Sequence, residues 1–221
     1  MDSSIRVTVV IDAFRAFSTA SYVLESNPAS YRVATKSSVI SRLAIDSINP
    51  LLIGKPEKGF DHVVYHIPNS PTRVLGVKIT GSDVLHRTEA GIKGILQSQD
   101  ADIILAAGFV NAESTVQYIN KTIRKKGIPK ITIIPMGHQG ETSSLEDDIC
   151  ADYIKCLLRE EKFDINLYMD EIRQGPGSYF FSQDQWQYPS EDFTRCLEMG
   201  RFNFAIQAIL KDDYAILSRC E

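Results

Sequence analysis

Short apolar runs recur along the chain at the intervals of an α/β protein. Residues 7–11 are continuous and apolar apart from Thr8, and they end on Asp12. Residues 31–34, 51–53, 77–80, 103–107 and 131–135 have the same character, and each predicts a strand. The segments between them read as helices: 16–24, 38–48, a loop entering a helix over 88–97, 112–124 and 145–160. In the second of these, Val39, Ile40, Leu43, Ala44 and Ile48 fall at helical spacing. Residues 59–71, with Gly59, Pro68 and Pro71, read as irregular. Strands without internal alternation, separated by helices, predict a three-layer α/β/α fold. Its sheet is expected to be largely parallel or mixed.

The pattern changes after Lys162. Residues 173–190, RQGPGSYFFSQDQWQYPS, are rich in aromatic and turn residues. SEDFTRCLEMG then reads as a short helix with Ser190 as N-cap and Gly200 at its end. The last stretch predicts a hairpin turning at Asp212-Asp213, with a helix as the rival reading. The expected division is an α/β core over residues 1–162 and an annex over 163–221 packed on that core.

Length and composition narrow the class. With 221 residues, 43% of them hydrophobic and 24% charged, the chain can bury a sizeable core. A formal net charge of −4 argues against a nucleic-acid surface. The one basic run, Lys121 with Arg124, Lys125 and Lys126, reads as a solvated helix end. The N-terminus shows no secretory pattern, and no apolar run is long enough to span a membrane. Cys150, Cys156, Cys196 and Cys220 form no CxxC pair, so reduced thiols in a cytoplasmic protein are expected. The aromatic stretch from Tyr179 to Trp186 suits either a cover over the sheet or a homodimer contact.

Ligands of open α/β sheets bind beyond the carboxyl ends of the strands, so the residues that follow each strand carry the chemistry. They are Asp12, Arg15, Ser18 and Thr19; Asn69 and Ser70; His86, Arg87, Thr88 and Gly91; Gly108 and Asn111; and Gly137, His138, Gly140, Glu141, Ser143 and Ser144 ahead of Glu146, Asp147 and Asp148. Carboxylates are hard oxygen ligands suited to Mg²⁺. Arginine forks and helix N-termini suit a phosphate or sulfonate. Together they predict an anion site, with or without a metal. Each residue also has a plain structural use. Asp12 can cap the next helix with Arg15 as its ion-pair partner, Asn69-Ser70-Pro71 is a turn signal, and Ser143 with Glu146 has capping-box spacing. His62 and His66 read as loop residues. There is no DxD nucleophile motif, no Arg-His-Gly and no Walker lysine, and Cys196 and Arg201 are too close for a thiolate phosphatase loop.

Taken in order, VVIDAFRAFSTA, PNSPT, GFVNAEST and MGHQGETSSLEDDICADYI resemble the 2-phosphosulfolactate phosphatase family. The family opens on Ile/Val-Asp-Val-x-Arg-Ala-[Thr/Ser]. Asn-Ser-Pro, a strand-end Asn-Ala, and Gly-x-x-Gly with Ser-Leu-Glu-Asp follow. The resemblance spans roughly residues 6–158. It implies an α/β fold and Mg²⁺-dependent hydrolysis of 2-phosphosulfolactate to sulfolactate and phosphate, a step of coenzyme M biosynthesis. Position by position it implies Asp12, Arg15 and Asp147 as catalytic and Asp12, Glu146 and Asp147 as metal ligands. Asn69, Ser70 and Asn111 also fall on family motifs, and with the strand-end residues Arg87, Thr88, Gly91 and Gly137 they make up the expected substrate-binding set. The nucleophile is either water or a carboxylate.

The chain departs from the family at three places. Gly54-Lys55-Pro56 stands where Gly-Glu-Arg is expected, so an acid is missing unless Glu57 substitutes. Tyr65-His66-Ile67-Pro68 replaces Gly-Phe-Asp-x-Gly, and Thr88-Glu89-Ala90-Gly91-Ile92 replaces Thr-Asn-Gly-Thr. Two alternatives follow. One is a binding protein for a small phosphorylated or sulfonated acid without turnover. The other is a different hydrolase on the same scaffold, using His138 or His86 as general base.

Overall fold

The computed structural model describes residues 4–60, 62–138 and 140–221. Among the described residues, eight strands form one mixed sheet: β1 (Ser4–Ile11), β2 (Ser30–Ala34), β3 (Pro50–Ile53), β4 (Asp83–Arg87), β5 (Ile103–Ala107), β6 (Ile128–Pro135), β7 (Ala205–Leu210) and β8 (Ala215–Cys220). Their order is β3-β4-β2-β8-β7-β5-β1-β6. The helices are α1 (Ala16–Glu25), α2 (Ser37–Ile45), α3 (Pro71–Leu75), α4 (Ala90–Gln97), α5 (Ala112–Tyr118), α6 (Leu145–Leu158), α7 (Met169–Gln174) and α8 (Glu191–Leu197). Among the described residues, no helix is long and apolar enough to cross a membrane.

The sheet has two parallel blocks, β3-β4-β2 and β5-β1-β6. The β7-β8 hairpin lies between them and is antiparallel to both. The expected hairpin therefore exists, but it enters the middle of the sheet instead of packing on the outside. The reason is in its residues. Ile206, Ala208, Ala215 and Leu217 are buried, which suits central strands covered by helices.

The two blocks run in opposite directions, so a flat sheet would send their carboxyl ends to opposite edges. Strand-to-strand twist changes this. At roughly 20–25° per step, the five steps from β1 to β4 rotate one block by more than about 100° relative to the other. One apolar cluster then takes Val10 and Ala106 from one block, Val33, Ile53 and Val84 from the other, and Ala16, Phe17 and Ile92 from helices. α1 packs into this cluster, and Ala16 to Leu24 are all buried. A second cluster packs Val7, Val9, Ile11 and Leu105 against α5, α6 and the C-terminal residues Ile172, Phe180 and Phe193.

Three local expectations are corrected. Residues 77–80 are not a strand; the strand is β4, six residues later. Its sequence, DVLHR, is fully buried despite three polar residues, because partners meet them. Asp83 takes hydrogen bonds from Ser30 Oγ and from the Ile48 N–H, and His86 Nδ1 pairs with Tyr31 Oη at 2.7 Å. The helix expected over 112–124 is α-helical only to Tyr118 and widens into a π turn over Ile119–Ile123. Ser190 precedes α8 but its side chain does not cap it.

Candidate active site

Asp12 directly follows the last residue of β1 and is 6% exposed. One carboxylate oxygen, Oδ1, accepts the Ala16 N–H at 3.0 Å, so Asp12 does hold the start of α1. The other, Oδ2, accepts the Gly91 N–H at 2.8 Å and ties β1 to α4. Asp147, on α6, is arranged in the same way. Its Oδ1 accepts the Ala13 N–H and its Oδ2 the Gly137 N–H, both at 2.8 Å. Glu146 beside it is 7% exposed, and its Oε2 is buried without a partner. The capping box expected from Ser143 and Glu146 does not form. Ser144 takes the N-cap position without a side-chain bond, and Ser143 Oγ turns to Asp148.

These acids perturb one another. Burial raises the Asp12 carboxyl, against the pull of the Ala16 and Gly91 N–H groups and of Arg15. Burial also pushes Glu146 up to about 7, with the Asp12 charge adding to it. Asp147 is raised by burial first and then by Asp12 and Glu146. A cation or a proton at this cluster relieves the repulsion.

A cavity of about 720 Å³ opens over the acids. Asp12, Arg15, Asn69, Arg87, Thr88, Gly137 and Glu146 of the expected set line it, with Lys55 and His138. Arg87 is held by the Lys55 carbonyl at 3.2 Å and Glu89 at 2.7 Å, while its buried Nε has no partner. The Asn69 Oδ1 is likewise buried and unpartnered. Of the six such orphaned side-chain atoms among the described residues, those of Asn69, Arg87, Ser144 and Glu146 belong to residues that line this cavity. Buried polar groups are rarely left unpaired, so their concentration here marks a ligand site.

Ser70 and Asn111 do not line the cavity. Ser70 is the N-cap of α3 and accepts the Arg73 N–H at 3.2 Å. Asn111 accepts the Gly108 N–H and donates to the Ala106 carbonyl. Asp147 and Gly91 do not line the cavity either; the Gly91 N–H donates to Asp12 and Asp147 accepts the Gly137 N–H. His86 is 1% exposed, and burial pushes its ring down to about 3, which does not suit a general base at neutral pH. Glu57 accepts the Ser37 N–H at 2.9 Å, away from the cavity, so it does not replace the missing acid.

The C-terminal segment supplies a wall that no motif announced. Gly175, Pro176, Ser178, Tyr179, Gln187 and Tyr188 face the cavity. Arg15 leans on this wall, with its guanidinium carbon 4.9 Å from the Tyr188 ring centroid and 5.6 Å from that of Phe180. The aromatic richness of residues 173–190 was the available signal, and it reads equally as plain packing.

Gly91 tests the Asp12 geometry. A Cβ there would lie 2.7 Å from Phe17 Cζ and 3.0 Å from Asp12 Oδ2. Gly91→Ala is expected to cost about 1–3 kcal/mol in urea unfolding, as overpacked sites do, and to lower any activity that depends on Asp12.

The fold is α/β, and acidic, basic and unpaired polar side chains meet in one cavity beyond the ends of β1 and β4. A sequence profile described as 2-phosphosulpholactate phosphatase matches residues 2–202. A probable 2-phosphosulfolactate phosphatase of Bacillus subtilis is 26% identical over 194 residues, covering 86% of this chain and 81% of that protein. One of Caldicellulosiruptor saccharolyticus with the same description is 29% identical over 164 residues, covering 74% of this chain and 66% of its own. Another, of Synechocystis, is 26% identical over 165 residues, with the same two coverages. The chain belongs to the 2-phosphosulpholactate phosphatase family, a family of phosphoric monoester hydrolases.

Proposed function

We propose that the chain hydrolyses a small phosphomonoester of the 2-phosphosulfolactate type, with Mg²⁺ as cofactor. The observation that carries this reading is the meeting of carboxylates and cations in one cavity. Asp12 and Glu146 line it together with Arg15, Lys55 and Arg87. A substrate with a phosphate and further acid groups meets complementary charge there. Breaking the P–O bond with water releases sulfolactate and inorganic phosphate.

Among the described residues, no three His, Cys, Asp or Glu side chains form a preformed metal cage. Mg²⁺ does not require one. It commonly takes one or two carboxylates, with water and substrate phosphate completing the shell. Glu146, with its orphaned buried oxygen, and Asp12 are the residues that fit that role, and Asp147 supports them from behind. A bound Mg²⁺ supplies charge neutralisation at the phosphoryl group. In this reading Asp12 orients the attacking group, Arg15 holds the phosphate, and Asn69, Arg87 and Thr88 hold the rest of the substrate.

The test is metal removal. EDTA treatment is expected to lower phosphate release from 2-phosphosulfolactate by at least about 10-fold, and added Mg²⁺ to restore it. Equal rates in EDTA and in Mg²⁺ would remove the metal from the proposal. Tight binding with no release under either condition would leave a binding protein instead.

A further inference from the structure

We propose that Asp192 is a positioning residue for the reaction, setting both the Arg15 guanidinium and the Asn69 turn with one carboxylate. This rests on the phosphatase reading, in which Arg15 and Asn69 hold the substrate. Asp192 comes from α8, outside every motif of the site, and is fully buried at 0% exposure. A charge so placed needs partners. Its two oxygens serve two different elements. Oδ2 accepts from Arg15 Nη1 at 2.7 Å, and Oδ1 accepts the Thr72 N–H at 2.8 Å. Thr72 lies three residues after Asn69 in the turn that opens α3.

The arrangement does more than neutralise a charge. The same Arg15 Nη1 also donates to the Gln187 carbonyl at 2.9 Å, and the Tyr188 ring covers the guanidinium. Arg15 is thereby fixed in one orientation while still lining the cavity. An arginine recognises phosphate through a rigid planar fork, and the benefit depends on holding that fork in place before the substrate arrives. Asn69, at the other end of the tie, also lines the cavity, with its Oδ1 lacking a protein partner. One carboxylate thus ties Arg15, which lines the cavity, to the backbone three residues beyond Asn69, and both partners lie more than 100 residues away in sequence.

The experiment compares wild type, Asp192→Asn, Asp192→Glu, Arg15→Lys and the Arg15→Lys/Asp192→Asn double variant. Inorganic phosphate serves as the competing ligand, and circular dichroism reads the fold. Asp192→Asn is expected to raise KM and the phosphate inhibition constant about 10-fold, with a smaller change in kcat. Asp192→Glu, which keeps the charge but displaces it, is expected to fall between the two. In the Arg15→Lys background, Asp192→Asn is expected to add little to the phosphate effect, because it acts through Arg15. A lowered melting temperature with KM and phosphate inhibition unchanged would overturn the proposal. Loss of fold in both single Asp192 variants would overturn it too, making the tie a structural one. If wild type releases no phosphate, the phosphatase reading fails separately. The shift of melting temperature by inorganic phosphate, in wild type against Asp192→Asn, then still decides the role of Asp192.

Discussion

Asp12→Asn is expected to lower phosphate release by at least about 100-fold, the scale set by losing a positioned carboxylate in proton transfer or charge stabilisation. Asn keeps the shape of the side chain but not its charge. It also replaces one accepting oxygen by a donor, so either the Ala16 or the Gly91 N–H loses its acceptor. That structural loss is expected to cost about 1–3 kcal/mol. Urea unfolding and kinetics separate the two effects: a moderate shift in midpoint should accompany a far larger loss of rate. A folded Asp12→Asn protein that hydrolyses substrate at the native rate would remove Asp12 from the chemistry and leave it as a cap of α1.

Acid is expected to destabilise the protein through His86. Burial, helped by the Arg15 charge, holds this ring neutral and pushes it down to about 3, against about 6.5 in an unfolded chain. Between those values the unfolded chain binds the extra proton, so stability rises with pH. The contribution is fully present above about pH 6.5 and is lost progressively as pH falls toward 3. Between pH 6.5 and 4.5 the loss is on the order of 2–3 kcal/mol. Glu146, raised to about 7, opposes this slope by taking up a proton in the folded state. The measurement is therefore a difference: urea unfolding of wild type and His86→Gln across that range. The wild-type curve should fall more steeply with acid, and parallel curves would contradict the prediction.

The alternation of apolar runs and helical segments made the α/β class legible, because buried strands such as β1 and β5 need no partner information to be seen. β4 was hidden because Asp83, His86 and Arg87 make it look like a loop. Their burial depends on Ser30, Tyr31 and Lys55, which no local pattern brings near. A parallel or mixed sheet was expected, but the place of the β7-β8 hairpin between two opposed parallel blocks was hidden for the same reason, since it is set by distant pairing. In the site, Asp12, Arg15, Glu146 and Asp147 stood out as strand-end and motif residues. Ser70 and Asn111 make local hydrogen bonds and do not line the cavity. Asp192 was invisible: one of 28 acidic residues, with no motif, paired to an arginine 177 positions away.

The first measurement to make on the protein is phosphate release from 2-phosphosulfolactate in Mg²⁺, beside the same compound with the sulfonate replaced by hydrogen. Release from the first is expected at a higher kcat/KM than from the second, because Lys55 and Arg87 line the cavity in addition to Arg15. No release from either, by a protein that is folded and binds the sulfonated compound, would contradict it.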